Sequence, residues 1–373
     1  MLMIDPHNPW FLGYWAVLAM TAAGSLSAWV WAANQVASGS RPFWTLLDIP
    51  SHRLVPWGAG SLGAVVLVYL AIQSGSYLGF LEFRARGLVP GPALATDEPL
   101  RASDQLVLMT GINIQALILI PWLLYFLCGA RPRDFGLENR QQVFRDAQTG
   151  FLAFLLATPV IYLAFFLAQL LWSPENHFIF ESLKQGLDPL LAVLAIVSAV
   201  VTAPASEELF FRGLLLGWLV RAGSQPRGAR PPLTEDQERF SQSDRSRRLS
   251  AWVANVLTSL VFASLHAAQW PAPVPLFVLS LVLGWLYLRS GRLVAPWALH
   301  TAFNALSTIC MLLQVQAGAL PRDAAAPQPA DSSVKTGHLT PTFHNLRSPQ
   351  QANRRVDVRD HQGSGTGDAI PGR

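Results

Sequence analysis

The chain has 373 residues, 51% of them hydrophobic and only 13% charged, with a formal net charge of +4. A soluble domain carries about 25% charged residues. This balance, with a mean hydropathy of +0.31, excludes an ordinary soluble domain and points to a polytopic membrane protein. No basic cluster interleaved with aromatics occurs in a polar segment, which excludes a nucleic-acid-binding surface.

A membrane span needs about 20 predominantly apolar residues. In chain order, the runs of this kind are Trp10–Ala33, Trp57–Phe80, Gln105–Cys128, Thr149–Trp172, Pro189–Val220, Ala251–Ala268, Val274–Leu288 and Val294–Val315. They predict an all-α bundle of eight transmembrane spans. The fifth run is too long for one simple span: at 1.5 Å per residue it reaches about 48 Å, against a hydrocarbon core of about 30 Å. Pro204 falls inside it. Either one helix kinks there and projects into water, or two shorter helices share the run and the count is nine.

The residues before the first run contain no Lys or Arg, so no positively charged n-region marks a cleavable signal, and this run is expected to stay as an anchor. Cys128 and Cys310 lie in apolar runs and read as buried small side chains. The loop after the third run holds Arg131, Arg133, Arg140 and Arg145. A polar insert at about 222–248 is also arginine-rich and reads as a surface loop. The positive-inside rule places both on the cytoplasmic side of an inner or plasma membrane. Arg84, Arg86 and Arg101 in the second loop oppose that orientation. Residues 317–373 lose all apolar periodicity and read as a disordered tail.

Chemistry concentrates in three apolar runs. Glu207 and Glu208 are adjacent, and Arg212 follows Glu208 by four residues. A carboxylate in a membrane is costly unless paired or wetted, so intramembrane acids are functional candidates. On a helix, Glu208 and Arg212 share a face while Glu207 points about 100° away. Glu208 can therefore pair with Arg212 and leave Glu207 to face a cavity. Phe262 and His266 lie one turn apart in the sixth run, and His300 and Asn304 one turn apart in the eighth. Two chemistries fit. Glu207 and His266 can activate a water while His300 and Asn304 stabilise an oxyanion. Alternatively, Glu207, His266 and His300 can bind a catalytic zinc as a two-histidine, one-carboxylate set, although the strong local zinc signal HExxH is missing.

In this order, the three motifs EExxxR, FxxxH and HxxxN resemble the CAAX protease and bacteriocin-processing family (also called Abi), which includes the type II CAAX prenyl endopeptidases. Ala203-Pro204, Phe211-Arg212-Gly213 and Gly291-Arg292-Leu293 are similar to the family's flanks. The resemblance spans about residues 190–310. It implies an intramembrane endopeptidase acting on a membrane-associated protein or peptide, with prenylated CAAX proteins as one substrate class. It also implies that Glu207 and His266 activate water, that His300 and Asn304 hold the oxyanion, and that Glu208, Arg212 and Phe262 support them. A zinc ion, or no metal at all, is consistent with the family. The expected organisation is N-terminal membrane helices of unassigned role over 1–188, a catalytic membrane domain over 189–316 and the tail. Two other readings compete: a catalytically silent scaffold or bacteriocin-immunity protein, and a proton-coupled transporter. No pair of broken helices recurs in two matching halves, which weighs against the transporter.

Overall fold

In a computed structural model, residues 8–39, 55–88, 100, 102–137, 139–172, 193–194, 196–224 and 236–317 are described. They form eight helices and no strand. The first four are α1 (Pro9–Ala37), α2 (Ala59–Ala85), α3 (Ala102–Cys128) and α4 (Arg140–Leu171). A composite helix, α5, runs without a break through Ser198–Thr202, Ala203–Glu208, Leu209–Leu216 and Gly217–Ser224. The last three are α6 (Asp236–Ser264), α7 (Pro273–Ser290) and α8 (Val294–Gln316). The tail beyond residue 317 lies outside the described residues, as does the first part of the insert.

Local chemistry accounts for the helix ends. Asn8 caps α1 by accepting from the Trp10 amide at 2.9 Å, with Pro9 in the first turn, where its missing N–H costs nothing. Asn139 caps α4 through the Gln142 amide at 2.8 Å. Gly291, at φ 63°, ends α7 in the left-handed conformation that glycine adopts without strain. Pro121 and Pro159 sit inside α3 and α4, a placement that membrane helices tolerate.

Among the described residues, five helical segments are long and apolar enough to cross a bilayer: Pro9–Ala37, Ala59–Ala85, Ser103–Cys128, Pro132–Leu171 and Pro273–Ser290. Large apolar side chains such as Leu67, Ile118, Leu163 and Leu171 point outward rather than into the bundle. A helix apolar on all faces and only partly covered by protein needs lipid for the rest. The chain is an integral membrane protein.

One expectation is narrowed and another changes. The long fifth run neither breaks nor splits at Pro204 within the described residues; it continues as α5, with wide π turns at Ser198–Thr202 and Leu209–Leu216. Proline has no N–H to offer the preceding turn, and the π turn just upstream of Pro204 is where the hydrogen-bond ladder changes register. The second half of the insert is not a loop. α6 begins at Asp236, well before the apolar run at Ala251. Residues 236–250 contain no glycine or proline, and their Gln, Glu and Arg residues are good helix formers, so the apolar helix extends upstream as a polar one.

The core surrounds α5. Leu209 and Leu214 join Trp57, Val65, Ile120 and Leu124 from the α2–α3 side. Leu216 and Val220 pack on the other side with Ala254, Tyr287 and Leu288 from α6 and α7. A third cluster, including Phe154, Ile161, Leu283 and Leu299, locks α4, α7 and α8 together. The glutamates therefore sit on the central element of the bundle.

Candidate active site

The two glutamates occupy the short α turn Ala203–Glu208 between the two π turns of α5. π turns are rare and recur at functional sites, because they rotate the residues that follow them. Glu208 and Arg212 pair at 3.0 Å with both side chains essentially sealed, 1% and 0% exposed. Arg212 also reaches across to α7, where Nη2 donates to the Ser280 hydroxyl at 2.8 Å and the Ser280 carbonyl at 3.2 Å. Its guanidinium lies 4.8 Å from the centre of the Phe262 ring, so Phe262 of α6 carries the cation on its face.

His300 is buried between the two carboxylates. Its Nδ1 stands 2.8 Å from Glu208 Oε1. A carboxylate oxygen accepts, so this ring nitrogen carries the hydrogen. Its Nε2 faces Glu207 Oε2 at 3.6 Å, beyond direct hydrogen bonding. The Glu207 side chain is 29% exposed against 1% for Glu208. The two acids thus divide as their positions on a helix suggest: Glu208 is locked and Glu207 is accessible.

His266 lies just past the end of α6. Its Nδ1 is 2.9 Å from the Phe262 carbonyl, which can only accept. The other ring nitrogen, Nε2, is thereby left with its lone pair. Phe262 touches both imidazoles, with ring centres 5.0 Å from His266 and 6.0 Å from His300. His266 and His300 are brought to one neighbourhood and separated by an aromatic ring.

Asn304 makes a contact that its spacing from His300 did not suggest. Its amide donates to the Ala199 carbonyl at 2.9 Å, tying α8 to the upstream π turn of α5. A π turn leaves carbonyls without their usual helical partners, and this amide supplies one. Trp297 donates to the Val201 carbonyl of the same turn at 3.4 Å. On the other side of α5, the Ser206 hydroxyl lies 3.0 Å from Asn113 Oδ1 on α3. Asn113, Ser280 and Trp297 were not singled out from sequence. Asn113 alone had a signal: an amide flanked by isoleucines within an apolar run.

Among the described residues, no three His, Cys, Asp or Glu side chains stand close enough to hold a metal ion. Glu207, His266 and His300, as placed, do not form a three-ligand set for zinc. Both cysteines are free thiols.

An apolar cleft of about 580 Å³ opens beside the glutamates, between α3 and the start of α8. Leu117, Pro121, Trp122, Leu209, Val294 and Trp297 line it, and Glu208 and Arg131 are the charged residues in its lining. Ile118 and Trp122 are more than half exposed, so the cleft opens sideways through a face that lipid would cover. It reaches the pair from the side of Glu208; Glu207 is not part of its wall.

Residues 189–306 match the family model described as "Type II CAAX prenyl endopeptidase Rce1-like". This segment is a CAAX protease domain. It contains Glu207, Glu208, Arg212, Phe262, His266, His300 and Asn304, and it covers about a third of the chain. No curated protein and no solved structure matches the chain. The family is one of intramembrane endopeptidases, and the CAAX protease domain makes this chain an enzyme of that class.

Proposed function

We propose that the protein hydrolyses a peptide bond in a membrane-associated protein or peptide, with Glu207 as the general base and a lipid-modified CAAX-type chain as substrate. The observation that carries this reading is His300 held between Glu208 at 2.8 Å and Glu207 at 3.6 Å, with Glu207 the accessible acid. Glu207 takes a proton from water, and the remaining hydroxide oxygen attacks the peptide carbonyl carbon. His266 orients that water through Nε2, because its Nδ1–H is engaged by the Phe262 carbonyl. The carbonyl oxygen becomes an oxyanion. His300, held through Nδ1 by Glu208, turns Nε2 toward this oxyanion. Asn304 has one amide hydrogen beyond the one given to Ala199 and stands one turn from His300, within the same half of the site. When the tetrahedral intermediate collapses, the C–N bond breaks and the proton held by Glu207 passes to the leaving amine.

The apolar cleft supports a lipid-modified substrate. Its lining is almost wholly apolar and opens sideways, so a substrate chain dissolved in the bilayer can enter without crossing water. The cytoplasmic side of the arginine-rich loops follows the positive-inside reading of the sequence, in what we take to be an inner or plasma membrane.

The test is cleavage by the full-length protein in liposomes, with product masses read by mass spectrometry. A farnesylated CAAX peptide and its unmodified form serve as substrates. Internal cleavage of the farnesylated peptide at higher kcat/KM is expected. Equal turnover of both would remove the lipid from the account, and no cleavage of either would remove the CAAX-type substrate.

A further inference from the structure

We propose that Asp146 and Arg292 position His300, and that through them the N-terminal helices take part in the reaction. The inference rests on the reading of His300 as a group of the active site. Arg292 grips Asp146 with two parallel hydrogen bonds, Nε to Oδ2 at 2.6 Å and Nη2 to Oδ1 at 3.0 Å. Such a fork fixes direction as well as distance. Gln142, one turn earlier on α4, donates to Asp146 Oδ1 at 2.8 Å and holds the acceptor still.

Arg292 lies in the tight connection between α7 and α8, two residues before α8 begins. The backbone on either side of it is also tied. The Arg292 amide bonds the Ser290 hydroxyl at 3.1 Å, and the Leu293 amide donates to the Phe135 carbonyl at 3.3 Å. Gly136, at φ 85°, lies directly against Arg292, and a side chain there would collide with it. Gly150, one turn beyond Asp146 on α4, lets the backbone close on the Ala295 carbonyl and the Ala298 methyl in the first turns of α8. All these contacts converge on the start of α8.

His300 stands six residues into α8, about 9 Å along the axis at helical rise. A helix transmits a shift or rotation at its end to side chains two turns away. His300 must meet Glu208 at 2.8 Å with one nitrogen and face Glu207 with the other, so its tolerance is small. Arg292 is 30% exposed while Asp146 is only 6% exposed, so the fork contributes to stability through its buried carboxylate as well as fixing direction. Placement is the role this geometry supports. Asp146 lies outside residues 189–306, so α4 supplies a part of the site that the matched segment lacks.

The experiment uses the full-length protein in liposomes and measures kcat, KM and the thermal midpoint on the farnesylated peptide. The variants are Asp146→Asn, Arg292→Lys, the charge-reversed pair Asp146→Arg with Arg292→Asp, and His300→Ala as a reference. Misplacing a reacting group by about 1 Å can cost on the order of 100-fold. We expect kcat to fall ~10–100-fold in both single variants, with KM within about twofold and a loss of kcat larger than any fall in the midpoint explains, and to recover in part in the reversed pair. The ring-nitrogen signals of His300 in ¹⁵N-histidine spectra should move in Asp146→Asn. Normal kcat in both single variants, or losses that only track thermal stability, would overturn the positioning role. If His300→Ala is inactive in the same series, the active-site reading survives that failure; if His300→Ala stays active, the reading itself falls.

Discussion

Glu208 Oε1 receives two donors at once, His300 Nδ1 at 2.8 Å and Arg212 Nη1 at 3.0 Å, while its other oxygen has no hydrogen-bond partner. One carboxylate oxygen thus joins α5 to α8 and, through Arg212 and Ser280, to α7. The conspicuous pair of glutamates is one structural junction and one accessible acid.

The junction predicts a stability defect. Arg212→Ala leaves a sealed carboxylate without its cation, and breaking a buried pair costs about 3–5 kcal/mol. The thermal midpoint and the yield of folded protein should fall together with activity. Glu208→Gln should lower turnover more than stability, because the amide keeps the shape but loses the charge that holds His300. A fully stable, inactive Arg212→Ala protein would instead assign Arg212 to substrate.

Asn304→Ala should act through α5. It removes the donor to the part-buried Ala199 carbonyl, and losing such a hydrogen bond costs about 0.5–1.5 kcal/mol. Thermal unfolding in detergent should show a loss of that size alongside reduced turnover. An unchanged midpoint with kcat down on the order of 100-fold would assign the amide to the oxyanion alone.

Chelation discriminates the two water-activating chemistries. Because the three candidate ligands are not gathered into one set among the described residues, dialysis against chelator should leave kcat unchanged. Metal analysis should find less than one equivalent. Loss of activity that added zinc restores would mean that Glu207, His266 and His300 draw together in the working enzyme.

The cleft predicts a substrate-selective effect. Leu137 lies on its rim and is exposed. Leu137→Trp should obstruct the entrance and raise KM for the farnesylated peptide about tenfold, equivalent to about 1.4 kcal/mol. The unmodified peptide should be unaffected. Equal effects on both peptides would place the lipid elsewhere.

Much of this was legible in the sequence, for reasons that differ by range. The apolar runs became helices because a bilayer-length segment has few alternatives once its backbone must satisfy itself. The Glu208–Arg212 pair could be read because residues four apart share a helix face. The grip of Glu208 on His300 could not, since it spans 92 positions and depends on how α5 and α8 cross. Asn304 shares a face with His300, which spacing shows, but its bond to the Ala199 carbonyl depends on the π turn beneath it, which spacing does not show. That turn has no local signature beyond Pro204. Arg292 stood out only as part of the Gly291-Arg292-Leu293 flank and Asp146 not at all, so their pairing across 146 positions was equally hidden.

The most direct measurement is turnover of the farnesylated peptide by Glu207→Gln in liposomes, beside the wild type and with thermal midpoints recorded. The substitution keeps the size and polarity of the side chain and removes only its ability to take a proton. Loss of general-base catalysis typically costs on the order of 10²–10⁴-fold. The account predicts a kcat reduced by that range, with the midpoint held. Near-normal turnover in Glu207→Gln would contradict it.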